Sequence, residues 1–123
     1  MSDKAPLLVA CLCAAWCRTC TDYGPTFETL AAAFGAAAQF TWVDIEDDAD
    51  RLGDADVIDF PTLLIARGER VLFFGPVLPH AAAARQLVER ALRDALPAPA
   101  ADVLAEVDGL PARLRTLGGT RMT

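Results

Sequence analysis

The stretch Pro6-Leu7-Leu8-Val9-Ala10-Cys11-Leu12-Cys13-Ala14-Ala15-Trp16-Cys17-Arg18-Thr19-Cys20 decides how this chain is read. Residues 6–13 are continuously apolar and short, the pattern of a central strand covered on both faces. Phe27, Leu30, Ala31 and Phe34 recur at helical spacing, which predicts a helix over 17–35 with Gly35 as its stop and Pro25 as an internal kink. Cys17 and Cys20 therefore stand where a strand hands over to a helix. A cysteine there sits among unpaired helix N–H groups at the positive end of the dipole, which favours thiolate over thiol. Two intervening residues put both sulfurs on one helical turn, close enough to bond. Cys17 can then attack a substrate disulfide, and Cys20 can attack the mixed disulfide and release a reduced product. Cys17 is expected to be exposed and Cys20 more buried.

Outward from this stretch, 39–45 reads as a second strand, joined to the first by the helix in a right-handed parallel unit. Residues 44–59 carry eight carboxylates and one Arg51, with a short helix expected at 49–52. Residues 62–67 and 71–75 read as two strands of a hairpin turning at Arg67-Gly68-Glu69-Arg70. An amphipathic helix is expected over 80–96, with Ala84, Leu87, Val88, Ala91, Leu92 and Ala95 inward. Pro97-Ala98-Pro99 ends it, and a tail follows with helical patterning at 101–108 and again from Pro111. The fold class is α/β with a mixed sheet.

Composition sets the limits. With 123 residues, 54% of them hydrophobic, the chain is one domain that needs no disulfide staple. Its apolar content excludes disorder, and its apolar runs are too short for a membrane span. A net charge of −6 argues against a nucleic-acid partner. All four cysteines, Cys11, Cys13, Cys17 and Cys20, fall within ten residues. A secreted scaffold would spread them along the chain, so the cluster points to a reactive or metal site. Four ligands drawn largely from an apolar strand converge poorly on a metal, and no metal is expected. His80, the one histidine, is expected to be exposed near a helix start. The acidic stretch reads as a solvated face and lacks calcium-loop spacing. Asp3 offsets Lys4 and few apolar residues follow, which is weak for an export leader, so the expected location is the cytoplasm.

Trp16-Cys17-Arg18-Thr19-Cys20, Pro25 five residues on, Val43-Asp44-Ile45-Glu46, Phe60-Pro61-Thr62 and Gly75, in this order, resemble the thioredoxin family. The resemblance runs from about Leu7 to Leu96. It implies a thioredoxin-like three-layer fold, with a mixed sheet of about four strands flanked by helices. The chain then divides into a thioredoxin-like domain at 1–97 and a C-terminal extension at 98–123. Only about six residues precede the site-bearing strand here, so the expectation is the minimal form of the fold, without the family's leading strand and helix. Val103, Leu104, Val107, Leu110, Leu114 and Leu117 are candidates to cover the surface this leaves bare. The resemblance also implies a cis peptide before Pro61 and a substrate groove formed by Trp16, Phe60, Pro61 and Gly75, where the Phe60 backbone meets an extended substrate. The implied activity is thiol–disulfide exchange on protein substrates, as a reductant. Cys17 and Cys20 would be the catalytic pair, and the redox-active disulfide would replace any cofactor. A reductase or small thiol would supply electrons.

The sequence departs from the family at several positions. Cys11 replaces a buried Asp that assists the second cysteine, and Trp42 replaces a nearby Lys. The proton then passes through water or through a carboxylate such as Asp22 or Asp59. The dipeptide Arg18-Thr19 replaces Gly-Pro and brings a positive charge towards Cys17. Cys11 and Cys13 share one strand face. Cys11 reads either as a small inert core residue or as a third redox group bonding Cys20. These departures keep a second reading open, a binding or chaperone module or redox sensor in which exchange is secondary or absent.

Overall fold

The computed structural model describes residues 6–53, 55, 57 and 60–115. Four strands, β1 (Leu7–Cys13), β2 (Ala38–Asp44), β3 (Thr62–Arg67) and β4 (Arg70–Pro76), form one sheet in the order β2-β1-β3-β4. β1 runs parallel to β2 and antiparallel to β3, and β3 pairs antiparallel with β4. All seven residues of β1 are buried, as its uninterrupted apolar run requires of a central strand.

Alternation along β1 sorts its side chains into two cores. Leu7, Val9, Cys11 and Cys13 join Cys20, Tyr23, Phe27 and Leu30 of α1 (Arg18–Phe34) and Ala84, Val88 and Ala91 of α3 (Ala81–Leu92). Leu8, Ala10 and Leu12 join Leu52 of α2 (Ala49–Leu52), Val107, and Leu110 and Leu114 of α5 (Leu110–Arg115). A further short helix, α4 (Ala101–Glu106), precedes Val107. Layers therefore lie on both sides of a mixed sheet. Val107, Leu110 and Leu114 of the C-terminal segment are fully buried on the second face, whereas Val103 is half-buried and Leu104 is exposed. Leu117, Asp59, Asp3 and Lys4 lie outside the described residues.

Arg113 fastens this second face. Its Nε donates to Arg51 O at 2.7 Å, while Arg51 Nη1 donates to Arg113 O at 3.4 Å. The guanidinium thus satisfies a carbonyl in the last turn of α2. Gly53 follows with φ +59, and a Cβ there would lie 2.6 Å from Arg113 Nη2. The left-handed backbone at 53 is what favours glycine, since a Cβ there would displace only the tip of the Arg113 side chain. Arg115 Nη2 donates to Gly68 O at 2.6 Å and ties the end of α5 to the β3–β4 turn.

Two boundaries differ from the periodicity. α1 begins at Arg18, with Cys17 as its extended N-cap. α3 ends at Leu92, four residues short of the expected stop, and Ala95 is exposed. Asp94, with φ 55, takes the left-handed position that terminates the helix. Its N–H reaches Ala91 O at 3.0 Å, and Ala95 N–H reaches Arg90 O at 2.8 Å. These are the two bonds of a Schellman cap with aspartate in the glycine position, which hid the stop from the sequence. Among the described residues no helix is long and apolar enough to cross a membrane.

Candidate redox site

A tight turn at the end of β1 builds the site. Cys17 N–H donates to Ala14 O at 3.0 Å, so the chain folds back and α1 starts over the strand it has just left. Cys17 then heads the stripe that α1 turns to the sheet, Cys20, Tyr23, Gly24, Phe27 and Leu30. This is the three- and four-residue spacing of a buried helix face. Cys17 packs against the core while partly exposed; Cys20 is 1% exposed. The expected division into an accessible and a buried cysteine is present.

The bond itself is not the expected one. Cys20 is joined to Cys13, across a Cα–Cα distance of 5.7 Å, and Cys17 is a free thiol. Cys13 is the last residue of β1 and points to the α1 side, directly under the first turn of the helix. Nor is Cys11 bonded to Cys20: it is a buried thiol whose Sγ lies 3.8 Å from Cys13 Sγ. A disulfide sulfur carries no hydrogen, so Cys11 S–H is the donor in this contact. Burial pushes the Cys11 thiol far above its usual range and keeps it protonated. Sequence reasoning passed over Cys13 as a site residue, although strand alternation already placed it beside Cys11.

Trp16 is 65% exposed and meets the Phe60 ring edge-on at 5.6 Å between centroids. Its indole N–H donates to Glu46 Oε2 at 3.2 Å, which fixes the ring against the end of β2. The Phe60–Pro61 peptide is cis, and buried Pro61 accepts a hydrogen bond from Val77 N–H at 3.0 Å. Gly75 pairs with Leu63, two residues beyond Pro61, and a Cβ there would only touch the Phe73 ring at 3.6 Å. The sheet thus brings Trp16, Phe60 and Pro61 to one end, with Gly75 on the neighbouring strand.

Arg18 and Thr19 are exposed in the first turn of α1. Arg18 Nε lies 3.8 Å from Asp22 Oδ2, so its charge is directed along the helix to a carboxylate. Trp42 packs edge-on against Phe27 at 5.7 Å and belongs to the core. The acidic segment begins with a local turn in which Asp44 Oδ1 accepts from Glu46 N–H at 2.8 Å and Asp47 N–H at 3.1 Å. His80 is exposed and precedes α3.

A cysteine-bearing strand-to-helix junction facing a cis-proline strand, on a mixed four-stranded sheet, defines the class as a thiol-bearing α/β domain. The family described as Thioredoxin matches residues 1–77, and the chain belongs to the thioredoxin family. It is 31% identical over 71 residues to thioredoxin 2 of Chlorobaculum tepidum, covering 58% of this chain and 63% of that one. A thioredoxin of Chlorobaculum thiosulfatiphilum matches at the same identity over 64% of its length. The chain therefore spans less than two thirds of the curated relatives it matches. Among solved structures, thioredoxin from Trypanosoma brucei brucei superposes with a TM-score of 0.64 at 26% identity, covering 74% of this chain and 79% of that one. Fasciola hepatica thioredoxin, at 22% identity and TM-score 0.64, covers 71% of this chain and 82% of its own and shares the fold.

Proposed function

We propose that the protein is a thiol–disulfide oxidoreductase acting on protein disulfides. The observation that carries this is the placement of Cys17, a part-exposed free thiol at the N-terminus of α1, three residues before the buried sulfur of Cys20. Cys17 thiolate attacks a substrate disulfide, one substrate sulfur leaves as thiolate, and Cys17 is held in a mixed disulfide. Cys20 thiolate then attacks Cys17 Sγ and releases the second substrate sulfur, so the substrate gains two electrons and the protein holds one disulfide. Trp16, Phe60 and Pro61 receive an extended substrate segment, with Gly75 at the margin. A reductase or small thiol returns the electrons, and no resident metal or organic cofactor takes part. A reducing compartment such as the cytoplasm suits this direction.

Family membership and the strand-to-helix cysteines support this reading. Its test is reduction of a disulfide-bonded protein such as insulin by dithiothreitol, with and without the chain. Catalysis by the wild type that is lost in Cys17→Ser is the expected result. A second reading, a binding module or redox sensor, draws on the Cys13–Cys20 bond, which occupies the resolving thiol. Unchanged biological function in a Cys17→Ser, Cys20→Ser double variant would favour it.

A further inference from the structure

The Cys13–Cys20 bond raises a question that the exchange reading leaves open, namely how Cys20 serves Cys17 and yet is found on Cys13. Both bonded residues are 1% exposed, so an external thiol has no direct approach to their sulfurs. Cys17 is the free cysteine with solvent access, and it lies one turn from Cys20 on the same helical stripe. Cys20 thus has two partners within its reach, one towards the surface and one in the core.

We propose that Cys13 is a third exchanging thiol, which takes Cys20 over from Cys17 after turnover and stores the disulfide inside the protein. This rests on the exchange reading above. Cys13 thiolate attacks Cys20 Sγ; the Cys13–Cys20 bond forms as the Cys17–Cys20 bond breaks. The electron pair leaves with the Cys17 sulfur, which takes up a proton in place of the one Cys13 has given up. One disulfide stands on each side of this step, so no outside oxidant or reductant enters it. The product is the observed arrangement, with Cys17 free and the oxidising equivalent buried. Recovery runs backwards: Cys17 thiolate attacks Cys20, the surface pair re-forms, and a donor dithiol reduces it.

Cys11 is the positioning residue for this step. Its S–H donates to the Cys13 sulfur at 3.8 Å in the bonded state. The same donor faces that sulfur when it becomes a thiolate, in a core where an unsolvated anion would otherwise be costly.

The test follows bond positions in time. Reduced full-length protein is mixed with oxidised glutathione, quenched in acid, alkylated and mapped by mass spectrometry. The expected order is a glutathione adduct on Cys17, then Cys17–Cys20, then Cys13–Cys20 with Cys17 alkylated. Cys13→Ala should stop at Cys17–Cys20. Cys17→Ser should form Cys13–Cys20 slower by about tenfold or more, because the accessible thiol is gone. Cys11→Ala should slow the last step, and Cys11→Ser, which keeps a donor, should restore it. A wild-type endpoint at Cys17–Cys20 with Cys13 alkylated overturns the proposal and leaves the exchange reading intact. An unchanged rate of Cys13–Cys20 formation in Cys17→Ser also overturns it. If Cys17 never leaves the thiol state while glutathione oxidises the protein, both readings fall. The wild-type map decides the matter even if the Cys13 variant does not fold.

Discussion

Cys13, the last residue of β1, is bonded to Cys20 in the first turn of α1, and this joins the strand and the helix of the site beneath the free thiol of Cys17. The bond lies in the core between sheet and helix, not at the surface where exchange with a protein substrate must begin. The chemistry of the site is therefore layered: one accessible sulfur, two bonded sulfurs below it, and the Cys11 thiol below those.

That layering makes stability depend on alkaline pH. Burial raises the Cys11 thiol above its usual 9.0, and burial is also the main cause that raises the Tyr23 phenol above its usual 10.0. As pH rises past these ordinary values, the unfolded chain releases protons that the native state keeps. The stability is thus fully present below about pH 9 and lost above it, at up to about 1.4 kcal/mol per pH unit for each group. Urea melts of the oxidised protein between pH 8 and 10 should show the decline, and Cys11→Ala should flatten its first part. A level profile in the wild type would contradict the burial of these groups.

The Tyr23 hydroxyl is buried with no hydrogen-bond partner among the described residues. Tyr23→Phe removes an unsatisfied polar atom and keeps the ring that packs near Phe27. Stability should hold or rise, by as much as about 1–3 kcal/mol. A loss above about 1 kcal/mol in thermal or urea unfolding would mean that the hydroxyl has a partner.

On the opposite face, Leu114 is fully buried against the even-numbered residues of β1. Leu114→Ala should cost about 2–5 kcal/mol. Arg113→Ala, which removes the donors to Arg51 O and Leu52 O, should cost about 1.5–3 kcal/mol. Both variants should keep the exchange rate per folded molecule, since they lie across the sheet from the cysteines. Denaturant titration and insulin reduction on the same samples check this. A folded variant with altered exchange would show that α5 acts on the site.

The sequence was most informative where a pattern has one physical reading. The unbroken run at 7–13 could only be a strand covered on both faces, and the spacing of Phe27 and Leu30 fixed the inward face of α1. Legibility failed where a side chain substitutes for a backbone signal. Asp94 closes α3 without glycine, and Arg113 caps α2 from 62 residues away, a contact no local pattern carries. In the site, the spacing of Cys17 and Cys20 showed that they could bond but not which bond prevails. That choice depends on how far α1 overlies the end of β1, which is a property of the folded layers. Arg18 brings its charge to the first turn of α1 beside Cys17, and its guanidinium also meets Asp22 one turn along at 3.8 Å, a pairing that the four-residue spacing already allows.

In the proposed exchange Cys17 attacks and Cys20 resolves. The most direct measurement is covalent trapping with the Cys20→Ser variant and a disulfide-bonded protein. Without the resolving thiol, a mixed disulfide should accumulate on Cys17, detected as a reducible adduct and mapped by mass spectrometry. No adduct, or one on Cys11 or Cys13, would contradict the account.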